Sequence, residues 1–448
     1  MSTVKLSTVL SALSYALDLT EGQPLGHAAR SCLLGMRVAD QLELRPDQRS
    51  DLFYALLMKD AGCSSNAARV SQLFGGSDQR AKRGLWERDW RNWREKIAYA
   101  FEYTEPGGSV VERLRRFTTL ALAGPSSQRE LFEIRCDRGA NIARALGVSE
   151  PTAVAIRSMD EHWDGGGYPE GLRRHEIPLY SRVIGLAQVA EIFCGLEGPE
   201  GALRVVNERR GRWFDPELAR AFCALGSSDR IWSDLRAEPL AQAIAAAEPV
   251  ERVIPADEPR LDRIAHAFAL VVDAKSTFTY QHSDRVAAIS GQVAAHMGLS
   301  EVQRVRLRRA ALLHDIGKLS VPNRILDKPG KLDPAEWGVV KRHPYFTYEI
   351  LARVPVFSEF AYDASCHHER IDGRGYHRGV PGEALSQTAR ILAAADIFDA
   401  LSAERPYRGA MPLDKVLAII REGRGTQLCP VTVDALVAVH AGAAGAAP

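Results

Sequence analysis

Residues 367–379 read HHERIDGRGYHRG and residues 159–171 read MDEHWDGGGYPEG, nearly one phrase written twice, with paired histidines in one copy and Met159 and Asp160 in the other. At an offset of 208 residues Glu161 pairs with Glu369, Asp164 with Asp372, Gly165 with Gly373, Gly167 with Gly375, Tyr168 with Tyr376, Gly171 with Gly379 and Arg182 with Arg390. Upstream the offset becomes 255, pairing His27 with His282, Asp60 with Asp315 and Gly62 with Gly317. Internal similarity at a fixed spacing marks a tandem duplication. The two offsets differ by 47, so the first copy carries about 47 extra residues between its matched blocks.

A chain of 448 residues exceeds one ordinary core and fits two domains of roughly 200 residues each. Apolar residues recur at three- and four-residue spacing in LSTVLSALSYALDL, VAAISGQVAAHMGL, VQRVRLRRAALLH and ARILAAADIFDAL, while alternating strand-like runs are nearly absent. The expectation is an all-α protein of tandem helical bundles. Residues 226–259 collect proline, acidic residues and an alanine-rich stretch and read as a linker with one helix, between a first domain over 1–225 and a second over 260–448.

The extra segment of the first copy includes RAKRGLWERDWRNWREK, in which Trp86, Trp90 and Trp93 fall at i, i+4 and i+7 and predict one aromatic helix face. Glu87, Asp89 and Glu95 interrupt its basic residues, so packing is favoured there over nucleic acid. Lys plus Arg number 57 against 56 for Asp plus Glu, which leaves no global basic field for DNA or RNA. Seven cysteines, never spaced as CxxC, argue against a disulfide framework or a structural zinc site and point to a reducing compartment. The N-terminus has no charged stretch followed by a continuous apolar run, and no window reaches the roughly 18 to 20 uninterrupted apolar residues of a membrane span. A cytoplasmic protein without membrane contact is expected.

The second half concentrates His282, His314, Asp315, His343, His367, His368 and Asp396, donor types that suit Zn, Mn or Fe, with no thiolate among them. Seven donors exceed the needs of one ion. Asp315 can bridge two ions, and adjacent histidines on a helix diverge by about 100° and can feed different ones. A dinuclear site is expected. Any single His-Asp pair more often caps a helix than binds metal; the set as a whole supports the metal reading. No GxxxxGK[ST], GxSxG or dinucleotide-binding glycine fingerprint supports P-loop hydrolysis, acyl transfer or a Rossmann site.

The motifs HSDRV, LLHDIGK, KRHP, HHERIDGRGY, ADIFDAL and RPYR, running from about Leu261 to the region of Pro430, make the second half resemble an HD-GYP domain of the HD metal-dependent phosphohydrolase superfamily. The resemblance implies a helical bundle that hydrolyses cyclic di-GMP to the linear dinucleotide or to GMP at two Fe or Mn ions. It implies His282, His314, Asp315, His343, His367, His368 and Asp396 as metal ligands with Asp315 bridging. Lys318, Arg405 and Arg408 would meet substrate phosphate, Gly375 and Tyr376 lie on the signature loop, and Asp315 and Lys318 would serve catalysis. Two departures stand out: His377 replaces the proline of the GYP signature, and Phe278 stands where relatives with a third metal carry glutamate, which favours two metals.

The same alignment sets Lys59 opposite His314, Cys63 opposite Lys318, Arg135 opposite His343, Met159 and Asp160 opposite His367 and His368, and Gln188 opposite Asp396. The first copy therefore reads as a degenerate HD-GYP domain, kept for regulation, dimerisation, partner docking or nucleotide binding. The leading functional expectation is a cyclic di-GMP phosphodiesterase. The alternatives are a phosphohydrolase for another cyclic dinucleotide or nucleotide, and a non-catalytic signalling module that binds cyclic di-GMP.

Overall fold

The helices begin and end where local chemistry says they should. Gly22, at φ 67°, closes the helix Leu6–Glu21 in the left-handed conformation that glycine takes without steric cost. Ser149 accepts from the Thr152 N–H to open Glu150–Arg157. Ser300 and Gln303 form a reciprocal capping box at Glu301–Leu313. This computed structural model describes residues 4–88, 93–104, 109–236, 239–250, 253–276, 279, 281–404 and 409–444. The described residues are all-α, their only extended pairings being isolated bridges.

Contacts divide the chain into two units, Met1–Arg263 with Pro322–Arg324, and Ile264–Val321 with Ile325–Pro448. Within each, the same series of helices recurs. Leu6–Glu21, His27–Ala39 and Pro46–Met58 have counterparts in Glu258–Asp273, His282–His296 and Glu301–Leu313, and Glu150–Arg157 has its counterpart in Ser358–Ser365. One close approach is reproduced to the atom. A Cβ on Gly62 would lie 1.9 Å from the carbonyl oxygen of Arg135, and one on Gly317 would lie 1.9 Å from that of His343. Only glycine lets the next helix cross there, in either copy.

In the first unit, residues 226–259 do not form a free linker. They contain two helices, Asp229–Leu235 and Leu240–Ala247, whose Ile231, Trp232, Leu240 and Ile244 are buried. Tyr54 donates to Glu248 at 2.8 Å, Arg37 pairs with Asp234 at 2.6 Å, and the Leu6 N–H donates to the Ile254 carbonyl at 2.8 Å. Proline and acidic residues suggested a linker, but the apolar residues between them supply a face for the core. Trp86 and Trp93, two of the three tryptophans expected on one helical face, do not share a helix. Trp86 caps the end of Asp78–Leu85 and is buried, the next helix starts at Trp93, and Trp90 lies outside the described residues. The helix Leu179–Glu208 is apolar and long enough to span a bilayer by length and composition, yet 61% of its apolar window is buried and it breaks at Gly198–Pro199.

Candidate metal centre

The second unit brings five chain segments to one point. His282 opens its helix, His314 and Asp315 follow the end of Glu301–Leu313, and His343 opens His343–Leu351. His367 and His368 follow Ser358–Ser365, and Asp396 lies within Gln387–Ser402. Thr347 ties two of these segments together, donating to the His314 carbonyl at 2.8 Å while accepting from the Gly317 N–H at 3.1 Å.

The seven side chains form two groups that share Asp315. Its Oδ2 lies 3.6 Å from His282 Nε2 and 3.3 Å from His314 Nε2, and Asp396 Oδ1 lies 3.3 Å and 3.8 Å from the same two atoms. Its Oδ1 faces the other way, 3.3 Å from His343 Nε2 and 3.6 Å from His367 Nε2. His368 completes a tight set with His343 and His367, and its Nδ1 lies 3.9 Å from Asp396 Oδ2.

Hydrogen bonds assign the protons. The Nδ1 atoms of His314, His343 and His367 each lie 2.7 Å from a backbone carbonyl, of Ala311, Val340 and Ala364 respectively. A carbonyl only accepts, so each Nδ1 carries the hydrogen, and wherever the ring is neutral Nε2 is left as a bare lone pair. His314 is the exception: burial opposes its charge, but Asp315 and Asp396 outweigh it and raise the pKa to about 10. Yet the Nε2 atoms of His343 and His367 stand 3.0 Å apart. Two lone pairs at that distance repel unless a proton or a metal cation lies between or beside them. Buried His314 Nε2 and Asp315 Oδ1 likewise make no well-formed hydrogen bond. The donor set fits divalent metal, with Nδ1 fixed by an outer acceptor and Nε2 turned inward.

Charge is arranged accordingly. Burial opposes ionisation of Asp315, but Lys318, whose Nζ lies 2.5 Å from Oδ2, and His314 outweigh it and hold the carboxyl well below its usual range. Burial together with neighbouring imidazoles pushes His367 well down, and His368 down to about 3, so both offer neutral nitrogens near pH 7.

Several supporting residues escaped sequence reading. Asp399 accepts from His282 Nδ1 at 2.7 Å and is held by Arg285 at 2.6 Å. Glu369 accepts the N–H groups of Arg378 and Gly379 and so closes the signature loop, on which Tyr376 stacks against His368 with ring centroids 4.6 Å apart. The signal was in the repeat: Glu369 matches Glu161, and Asp399 and Arg285 match Glu191 and Arg30. His377, in place of the signature proline, takes φ 93°, a value closed to proline and strained for histidine. Arg405, Arg408 and Phe278 lie outside the described residues.

The matching location in the first unit is filled by cations of the chain itself. Lys59 is buried with its Nζ on Asp60 Oδ2 and 2.9 Å from His27 Nε2, and His27 Nδ1 is bonded to Glu191. Arg135, at the position of His343, reaches Asp160 at 3.1 Å and Glu21 at 4.0 Å, and Lys82 reaches Glu21 at 3.3 Å. Glu21, Asp60 and Cys63 are close enough together to hold an ion, but these cations already meet the two carboxylates.

The sequence model of the HD domain family matches residues 123–218 and 267–430. A 3'3'-cGAMP-specific phosphodiesterase of Vibrio cholerae is 44% identical over 97% of this chain and 94% of its own length. A cyclic di-GMP phosphodiesterase response regulator of Xanthomonas campestris is 42% identical over 40% of this chain and 46% of its own. Among solved structures, that of a cyclic GMP-AMP-specific phosphodiesterase from V. cholerae is similar over 100% of this chain and 99% of that one, with a TM-score of 0.67 and 40% identity.

Proposed function

Because this chain belongs to the HD domain family, we propose that it is a metal-dependent phosphodiesterase that opens cyclic dinucleotides, with 3'3'-cGAMP as its preferred substrate. The observation that carries the reading is the pair of bare imidazole nitrogens on His343 and His367, 3.0 Å apart beside a carboxylate shared with a second donor group. His282, His314, Asp315 and Asp396 would hold one ion, and Asp315, His343, His367 and His368 the other, Fe or Mn suiting imidazole and carboxylate donors best. Two such ions, when bound, would supply hydroxide near neutral pH and offset charge on a phosphodiester.

The chain's own groups do the rest. Asp315 keeps the two donor groups in register. Lys318 lies beside it and donates to a phosphoryl oxygen as charge builds there, a contact stronger in the transition state than in the ground state. Arg405 and Arg408 are assigned the same kind of contact from the family motif. Tyr376 and Gly375, closed over the cluster by Glu369, border the substrate. Opening one ring bond gives the linear dinucleotide.

The substrate named here differs from the cyclic di-GMP expected from the motifs alone, because the relative matched along nearly its whole length acts on 3'3'-cGAMP. The first unit is assigned a non-catalytic role in regulation or dimerisation, since Lys59 and Arg135 occupy donor positions as fixed cations.

The test is anaerobic purification, measurement of metal per chain, and chromatography of 3'3'-cGAMP and cyclic di-GMP incubated with Mn or Fe(II). Two metals per chain and faster loss of 3'3'-cGAMP, abolished in the His314→Ala/Asp315→Ala double variant, are expected. Faster loss of cyclic di-GMP reverses the substrate order. Turnover that persists in the double variant removes the site assignment.

A further inference from the structure

Beside the cluster, and wholly within the second unit, lies a cleft of about 850 Å³ whose walls include Val272, Ile325, Leu332 and Trp337, with Lys318 and Lys331 also lining it. The volume falls within the roughly 300–1,000 Å³ of small-molecule sites, and apolar walls with a few charged groups are their usual composition. Three links make the cleft continuous with the cluster. Lys318 lines the cleft and contacts Asp315. Val340 lines it and fixes His343 Nδ1 through its carbonyl. Trp337 meets the edge of Tyr376 at 6.0 Å, and Tyr376 stacks on His368.

We propose that this cleft receives one nucleoside of the cyclic dinucleotide, with the base stacked on Trp337 and Lys331 facing the phosphate that is not cleaved. The inference rests on the phosphodiesterase reading given above and adds the residues that bind the far half of the substrate. A cyclic dinucleotide with one phosphate at the metal cluster must place a flat base and a second phosphate within a nucleotide's length of it. Trp337 suits the base: it is 42% exposed although large and apolar, and it stands on the short helix Pro334–Val340 that leads directly to His343. Lys341 lies 5.7 Å from the Trp337 ring and 5.6 Å from the Tyr376 ring, which adds positive charge to the same aromatic wall. Stacking on an aromatic side chain tolerates either purine, so Trp337 supplies affinity, and the choice between guanine and adenine falls to groups at the base edge.

The experiment is steady-state kinetics of the full Mn-loaded chain on 3'3'-cGAMP. Trp337→Ala is expected to raise KM roughly ten-fold or more with kcat changed less than about three-fold. Trp337→Phe, which keeps a ring, should recover most of that loss. Lys331→Ala should raise KM more weakly and flatten its dependence on salt. A KM for Trp337→Ala within about two-fold of the unmodified protein overturns the inference. So does a loss confined to kcat, or a Phe variant as impaired as the Ala variant. Bis(p-nitrophenyl) phosphate separates this outcome from failure of the parent reading. If the unmodified chain cleaves that diester and no cyclic dinucleotide, the nucleotide reading falls and takes the inference with it. If it cleaves 3'3'-cGAMP and Trp337→Ala keeps its KM, the inference falls alone.

Discussion

Replacing Lys59 by methionine removes one ammonium group from the interior of the first unit and little else, because the thioether fills the volume of the lysine stem. Asp60 then stays 2% exposed with its nearest cation gone. Stripping one partner from a buried ion pair typically costs about 3–5 kcal/mol, since the remaining charge has neither water nor a counter-ion. The cost is held near the lower end by Arg135, whose charge also lowers the Asp60 carboxyl. Asp60→Asn should cost less, about 2 kcal/mol, because a lysine left behind can release its proton. The double variant should come out roughly 2–3 kcal/mol better than the sum of the singles, the coupling expected of contacting charges. Urea unfolding followed by tryptophan fluorescence isolates the effect. Of the seven tryptophans only Trp337 lies in the second unit. A chelator should leave this transition in place, because the first unit carries its cations covalently. A cost below about 1 kcal/mol for Lys59→Met, or strict additivity in the cycle, would refute the claim that Lys59 neutralises Asp60.

Asp399→Asn should weaken metal binding about 10- to 100-fold, because the amide no longer draws the proton of His282 Nδ1 and no longer holds Arg285; metal titration monitored by calorimetry reads this directly. His377→Gly should relax the φ 93° turn and keep or raise the melting temperature of the second unit, whereas His377→Pro forces φ near −65° and should raise KM for 3'3'-cGAMP; equal behaviour of the two variants would mean the turn imposes no constraint. Asp18, buried beneath the N–H groups of Gly26 and Ala28, is pushed up to about 6 by desolvation against the pull of His27. A raised folded pKa means the native state holds this proton more tightly than the unfolded chain, so the contribution is full below about pH 4 and is lost as pH rises through about 6. Asp18→Asn should remove that part of the pH dependence from urea unfolding measured between pH 4 and 7.

The seven clustered donors were legible in the sequence because histidine and aspartate betray their chemistry by type, and their helical flanks placed them by period. Lys59 was legible for the same reason, as a lysine where its twin has a histidine. What the sequence hid were partners chosen by distance alone. Asp399 looks like any carboxylate on a helix until the fold brings it to His282 from 117 positions away. Residues 226–259 looked like a linker because their apolar positions form short runs whose shared face exists only against other helices, among them Leu6–Glu21, His27–Ala39 and Pro216–Gly226, where Trp232 meets Phe222. Trp337 followed an ordinary capping box, Asp333 with Glu336, and nothing in its neighbours announced a cleft.

Part of the pattern of loss between the copies follows from how the donors are anchored. His314, His343 and His367 are each held by a carbonyl three residues upstream, inside their own segment. Among the described residues, their hydrogen bonds reach only these local carbonyls and the cluster itself, so their counterparts could become Lys59, Arg135 and Met159 without loosening a neighbour. His282 is different, because its Nδ1 is bound to a carboxylate on a remote helix that also holds Arg285. Its counterpart His27 keeps the same arrangement with Glu191 and Arg30, across 164 positions, although Nε2 now meets an ammonium. Asp60 persists beside it because the glycine crossing at Gly62 fixes the turn that carries it, and a buried carboxylate there is tolerable only with a cation in reach. The first copy has kept His27 and Asp60, and among the five donors it has replaced, which include the counterparts of His368 and Asp396 at Asp160 and Gln188, are the three whose anchors were purely local.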